Sequence, residues 1–473
     1  MVFDQGRLRF CRTRPRVFVI TDIANEPDDT QSLVRLLLYG NEFDIRGIVA
    51  CTSTWLRTSV YPGEIERLIN AYVTVVPNLN THVHPENQYP GAGDLLGIIR
   101  QGPPVYGKRA LDPDIPLSDG AELLIEQLSC SSNDPLWVLC WGGTNVLAQA
   151  LQYLHKTQSV SAFTDLRSRI RVYAISDQDD TGLWIRTSYP DIFYICSVHA
   201  WNSYALATWT GISGDLQGPE FPDFGGPDTT KVSPLWVKDH IQKIGPLGSV
   251  YPDTQYIMEG DTPTFLYLIQ NGLGCAEHPG GEAGVVDRVV GADGRCYVSN
   301  RATIWRWREA YQNDFAARMR WTVEGAAVAN HAPVVVVNGD QGPEPLMLFA
   351  EAGESVFLDA SDSYDPDGDQ LTFRWFQYRE PTAALGLVID PQVAVLEITS
   401  TEDPGVPGGK VRITVPGPEH CAVRFGTGSK LPTGQTLHVI LEVKDNGLPC
   451  LYSYKRIVIQ VTNAQLLSEG QKL

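Results

Sequence analysis

The 473-residue chain carries 37 basic against 55 acidic residues, a formal charge of −18, with 43% hydrophobic and only 19% charged residues. That balance describes a globular protein of two or three domains with at least one large core, and it excludes a disordered chain. So acidic a surface repels phosphate backbones and anionic lipid, which leaves neutral or cationic small molecules and sugars as partners, with no nucleic acid and no membrane.

Residues 1–16, MVFDQGRLRFCRTRPR, hold charge but no apolar run of the about 7 residues that a secretory signal needs. No stretch approaches the ~20 apolar residues of a membrane helix, so the default expectation is a cytoplasmic protein with a short N-terminal extension. Val17–Tyr39, VFVITDIANEPDDTQSLVRLLLY, then reads as a buried strand that ends at Asp22, an acidic turn and an amphipathic helix. Four carboxylates, Asp22, Glu26, Asp28 and Asp29, crowd the handover from strand to helix. In an α/β sheet that edge is where ligands bind. Carboxylates so close repel one another unless bound hydroxyls or a cation hold them, and calcium is the cation their oxygens suit. Asp28 and Asp29 also have a plainer reading, since acids favour the first turn of any helix.

From Val17 to about Val198 the pattern alternates. Strands are expected at Val17–Thr21, Ile45–Cys51, Ala71–Val76, Leu136–Trp141, Ile170–Ser176 and Ile192–Ser197, and helices at Asp29–Leu38, Pro62–Tyr72, Gly120–Cys130 and Thr144–Leu154. This rhythm predicts a doubly wound, mostly parallel α/β sheet over residues 17–330. Polar groups collect where the expected strands end: Asp22; Thr54 and Trp55; Trp141-Gly142-Gly143-Thr144-Asn145; and Asp177, Gln178, Asp179 and Asp180, followed by Trp184 and Arg186. Carboxylates and amides on hydroxyls, with an aromatic on the ring face, are the groups that hold a sugar. Each string has a structural reading too, as a tight Gly turn, a Thr N-cap or a solvated acidic loop.

Residues 202–254 are rich in Gly, Pro and Trp, as long loops over one sheet edge would be. Glu259-Gly260-Asp261-Thr262-Pro263 follows, with helical signal at Thr262–Gln270 and Ala302–Val328. Beyond Pro333 the helical period disappears. Strand-like runs at Ser355–Leu358, Leu371–Gln377, Lys410–Val415, Leu437–Val443 and Tyr452–Val461 predict an immunoglobulin-like β-sandwich over 333–463, with 464–473 a tail. Its loop Asp362-Ser363-Tyr364-Asp365-Pro366-Asp367-Gly368-Asp369 reads equally as a calcium loop or a solvated turn, and Trp375 as a core residue. The nine cysteines form no CxxC pair and read as buried thiols, with Cys275/Cys296 and Cys421/Cys450 spaced so that they could pair in an oxidising compartment.

The strings ITDIANEPDDTQSLVRLLLY, TSTWL, ISDQDDTGLWIR, MEGDTPTFLYLI and QNDFAARM, with the β-rich tail, resemble a bacterial and fungal family described as cellulose-binding, whose first domain is nucleoside hydrolase-like. The acidic turn, the Gly-Gly-Thr-Asn turn and the later Asp also resemble, in order, the calcium site of inosine-uridine nucleoside hydrolases. That resemblance implies Asp29 as a bidentate calcium ligand, Thr144 as a ligand through its carbonyl, Asp261 as a third ligand and Asp28 on sugar hydroxyls. It implies Asp22 as ligand and general base if two extra residues are allowed in the turn. An ungapped match would put the base at Ala24, and Glu26 is the alternative. The histidine that would serve as leaving-group acid is Gly260, which leaves Glu259, Asp179 or Asp180 for that role.

The function implied is calcium-dependent hydrolysis of an N- or O-glycosidic bond of a furanose-type sugar. The alternative is a catalytically silent carbohydrate-binding protein on the same scaffold. The partner is a sugar, a nucleoside-like molecule or a polysaccharide; self-association stays open, and relatives of this kind are often secreted.

Overall fold

Strand β1, Arg16–Thr21, is buried along its whole length. Phe18 and Ile20 point into one core and Val17 and Val19 into the other, the alternation that buries a strand on both faces. The computed structural model describes residues 3–198, 207–213, 228–274, 287–290, 296–299, 301–382, 393–401, 406–424 and 427–466. Around β1 lie β2 (Asp44–Ala50), β3 (Ile99–Gln101), β4 (Leu136–Cys140), β5 (Ile170–Ala174) and β6 (Phe193–Cys196), all parallel, in the order β3-β2-β1-β4-β5-β6. The chain builds outwards from β1 to one side and then restarts at β4 on the other. The crevice beyond the carboxyl ends of β1 and β4 is therefore the topological switch point, where such sheets bind ligands.

Helices α1 (Pro27–Leu38) and α2 (Pro62–Val73) cover one face, together with Arg308–Arg320. Asp119–Ser129, Asn145–Thr157 and Val160–Ser168 cover the other. The result is the expected three-layer, doubly wound domain. The run Ala71–Val76 is not a strand. Ile65, Leu68, Ile69 and Tyr72 are buried at helical spacing, so its β-branched residues fall in and just after the last turn of α2. The third strand is instead the short Ile99–Gln101, which has too few residues to show a period.

The C-terminal part is all-β. A four-stranded sheet runs in the order Leu346–Glu351, Tyr452–Thr462, Thr433–Lys444, Thr372–Gln377, and a three-stranded sheet in the order Ser355–Asp359, Lys410–Thr414, Glu397–Ser400. Their inner faces enclose a core that includes Leu437, Val439, Leu441, Ile457 and Ile459, with half-buried Trp375 packed against it and donating from Nε1 to the Gly408 carbonyl at 2.9 Å. The outer face of the larger sheet is also covered: Ile440 and Tyr454 cluster with Leu273 and Trp307 of the first domain. Burial on both faces explains why Leu437–Leu441 shows no exposed alternate residues.

Cys421 and Cys450 are both free thiols, so that pairing is not formed; Cys275 lies outside the described residues. Among the described residues no helix is long and apolar enough to cross a membrane.

Candidate functional site

Directly after β1 the carbonyl of Asp22 accepts a hydrogen bond from Asn25 N at 3.1 Å, closing a tight turn in which Ala24 takes a φ of +80°. This turn spans the residues between Asp22 and the helix. Glu26 then precedes Pro27 at the first position of α1, where a missing N–H costs nothing, and Asp28 and Asp29 fall in the first helical turn. From the far end of the domain, the turn before the short helix Pro263–Leu266 delivers Asp261 to the same place. Carboxylate oxygens of Asp28, Asp29 and Asp261 lie within 4.8 Å of one another. Asp22 stands beside this trio and takes a hydrogen bond from Ser53.

The four acids and Glu26 line a pocket of about 540 Å³. Its walls include Trp55, Trp141, Gln178, Trp209 and Tyr256, and no lysine or arginine lines it among the described residues. Burial pushes Asp22 up to about 6, against the lowering effect of the Ser53 hydrogen bond. Burial, helped by the charges of Glu26 and Asp22, pushes Asp28 up to about 7. Asp29 and Asp261 are raised well above the carboxylate range, first by burial and then by their acidic neighbours. Asp29 Oδ1 accepts from Thr21 Oγ1, whereas buried Asp261 Oδ2 has no hydrogen-bond partner. A dense set of hard oxygen donors, one of them an orphaned buried atom, fits a calcium-type cation.

Two glycines let the end of β4 close on this site. A Cβ on Gly142 would lie 2.8 Å from both Asp22 Cβ and Cys51 Sγ. One on Gly143 would lie 2.5 Å from Asp179 Oδ2 and 2.6 Å from the Thr52 carbonyl oxygen. Neither position has room for a side chain.

The structure brings Asp22, Glu26, Asp28, Asp29, Asp261, Trp55 and Gln178 to one pocket. Thr54 reaches the region through its backbone N, which donates to the Gln178 carbonyl at 2.6 Å and ties the loops after β2 and β5 together. Other sequence candidates stand apart. Thr144 does not line the pocket; its carbonyl accepts Ala148 N at 3.0 Å in the helix it begins, and its hydroxyl faces Thr181 Oγ1 at 2.8 Å. Glu259 is fully buried against Arg35, 2.8 Å away, and Tyr251 Oη, 2.8 Å away, and is not a free acid. Asp177 pairs with Arg186. Asp180 receives Lys108 N at 2.7 Å on the surface.

Trp184 and Arg186 sit on a helix, Thr181–Ser188, that the acidic string concealed, and Trp184 packs edge-on against Tyr189 with ring centroids 5.6 Å apart. Asp179 is buried beneath the turn, its Oδ1 accepting from Thr181 N at 2.8 Å, and burial raises it to about 6. The sequence reading missed Asn25, Trp209, Thr210, Tyr256 and Ile257 as pocket residues. Their one legible signal was the Trp-rich composition of the long loop segment that carries Trp209.

Residues 16–284 match the family described as "Cellulose-binding Sde182, nucleoside hydrolase-like domain". Residues 355–461 match "Cellulose-binding protein Sde0182, C-terminal domain". The chain is similar to the solved structure of a nucleoside hydrolase-related hypothetical protein from Saccharophagus degradans that is associated with carbohydrate metabolism. The two are 31% identical with a TM-score of 0.76, over 95% of this chain and 100% of that one. No curated protein matches the chain.

Proposed function

We propose that this chain, which belongs to the family of cellulose-binding proteins with a nucleoside hydrolase-like domain, is a calcium-dependent hydrolase of an N- or O-glycosidic bond of a furanose-type sugar. The observation that carries the reading is the convergence of Asp28, Asp29 and Asp261, from two distant segments, in a pocket with aromatic walls. A calcium ion held by these three residues would neutralise them and bind a water and the sugar's vicinal hydroxyls. Asp22 takes the proton of the attacking water as general base. Its place beside the trio, on the wall of the same pocket, suits it to that role. Glu26, half-buried at the pocket edge, is the alternative base. The surrounding carboxylates favour an oxocarbenium-like transition state. Trp55, Trp209 and Tyr256 supply ring faces for the sugar or its leaving group.

A second reading, a carbohydrate-binding protein without turnover, is favoured by one observation on the leaving-group side. Residue 260 is glycine, and Glu259 beside it is consumed by Arg35 and Tyr251. The two readings separate on incubation of the protein with nucleosides and aryl furanosides, with and without a chelator. Chelator-sensitive turnover of a furanoside is expected. Absence of turnover at high enzyme, with sugar or polysaccharide binding kept in Asp22→Ala, would establish the second reading instead.

A further inference from the structure

One face of α1 and the turn Glu259–Thr262 are joined residue by residue. Asp28, Gln31, Ser32 and Arg35 share that face at helical spacing. Opposite Arg35, the Glu259 carboxylate takes Arg35 Nη1 at 2.8 Å on one oxygen and Tyr251 Oη at 2.8 Å on the other. Opposite Gln31, its Oε1 receives Glu259 N at 2.9 Å, and opposite Ser32 stands the Thr262 hydroxyl at 3.0 Å. Opposite Asp28 is Gly260, where a Cβ would lie 2.7 Å from Asp28 Oδ2. Glu259 itself is held at a φ of +55°, a conformation that a glutamate adopts only when its surroundings impose it. Arg35 is in turn fixed from behind by Gln312 Oε1 at 2.8 Å, the Tyr311 carbonyl at 2.6 Å and the Phe315 ring at 4.4 Å.

We infer that Arg35 and Glu259 are positioning residues for the cation site: their buried ion pair clamps the turn that carries Asp261 onto the helix that carries Asp28 and Asp29. The inference rests on the cation reading proposed above. It assigns to Glu259 a role opposite to that of a leaving-group acid. Its carboxylate is held between Arg35 and Tyr251 and sets the backbone of its own turn, so that two residues later Asp261 faces Asp28 and Asp29. Gly260 follows from the same clamp, because the turn is pulled so close to Asp28 that no side chain fits between them.

The test titrates calcium chloride into the full chain by calorimetry, alongside the melting temperature in chelator. Wild type is expected to bind. Glu259→Gln, which keeps the shape but not the charge, is expected to weaken calcium on the order of 10–100-fold, as loss of a ligand's supporting partner does. Tyr251→Phe and Gln31→Leu weaken it in the same direction by less. Tyr39→Phe is the control, since it deletes a buried hydroxyl bond to Asp314 that does not touch the turn, and its calcium affinity stays at the wild-type value. If wild type binds and Glu259→Gln binds equally well, the inference fails while the cation reading stands. If Glu259→Gln does not fold, Tyr251→Phe and Gln31→Leu decide, and wild-type affinity in both overturns it. An affinity loss in Tyr39→Phe equal to that in Tyr251→Phe reduces the effect to general destabilisation and overturns it too. No calcium binding by wild type overturns the cation reading, and the inference with it.

Discussion

Removal of the proposed cation would turn the acidic pocket into a measurable liability with a defined pH dependence. Without a cation, Asp22 and Asp28 hold their protons up to about 6 and about 7, whereas in an unfolded chain they release them near 4. A carboxylate raised in this way binds more protons folded than unfolded, so stability falls as pH rises from about 4 through about 7. At about 1.4 kcal/mol per pH unit, ionising these interacting acids together costs the folded state on the order of several kcal/mol. Calcium at about a hundredfold excess over its dissociation constant returns about 2.7 kcal/mol, and at roughly 2 °C per kcal/mol for a domain of this size the melting temperature rises about 5 °C. Differential scanning fluorimetry between pH 5 and 8, with chelator or calcium, reads both effects. Subtracting the Asp28→Asn profile cancels groups elsewhere. The expected difference is a chelated wild type that loses stability towards pH 8, with a calcium increment that grows over the same interval. A calcium increment unchanged in Asp28→Asn and Asp261→Asn, or a subtracted profile that rises from pH 5 to 8, would refute the reasoning.

Gly143→Ala drives a methyl against the Thr52 carbonyl and Asp179, and should cost about 1–3 kcal/mol in urea unfolding, with no matching loss when an exposed glycine such as Gly63 is changed. Ala24→Gly relieves a left-handed alanine in the turn after Asp22 and should stabilise by about 0.5–1 kcal/mol; a loss of stability would show that the turn is not under strain. His82 is buried between Trp321 and His331, and its Nε2 lies 2.8 Å from the Glu324 carbonyl. Burial lowers it to about 4. The unfolded state takes up the proton first, so stability is lost as pH falls from about 6.5 through 4, on the order of 3 kcal/mol. Acid unfolding of His82→Gln, followed by circular dichroism, should lack that component, and an unaltered acid profile would contradict it.

The first fifty residues show why so much was legible. VFVIT needs no tertiary information to be a strand buried on both faces, and DD before an apolar period starts a helix in any setting. Two such elements in succession, repeated, imply the parallel sheet and place Asp22, Glu26, Asp28 and Asp29 at its carboxyl edge. The same local logic failed at Ala71–Val76, where β-branched residues close a helix because its apolar face is already buried, and at Thr181–Ser188, where an acidic string masked a helix. Trp184 was misplaced with it, since on a helix its ring turns to Tyr189 rather than to the pocket.

What the sequence determined by itself was the class of each layer and the crowding of acids at the edge of the sheet, because strand and helix periods and the spacing of acids are local properties of the chain. Which acids meet was decided only by tertiary structure. Asp261 joins Asp28 and Asp29 across more than two hundred residues because α1 and the 259–262 turn share a buried ion pair, and Glu259 lost its candidacy as an acid to that same pair. Trp209 and Tyr256 became pocket walls for a similar reason. Their place depends on how distant loops fold over the switch point between β1 and β4, and no local spacing encodes it.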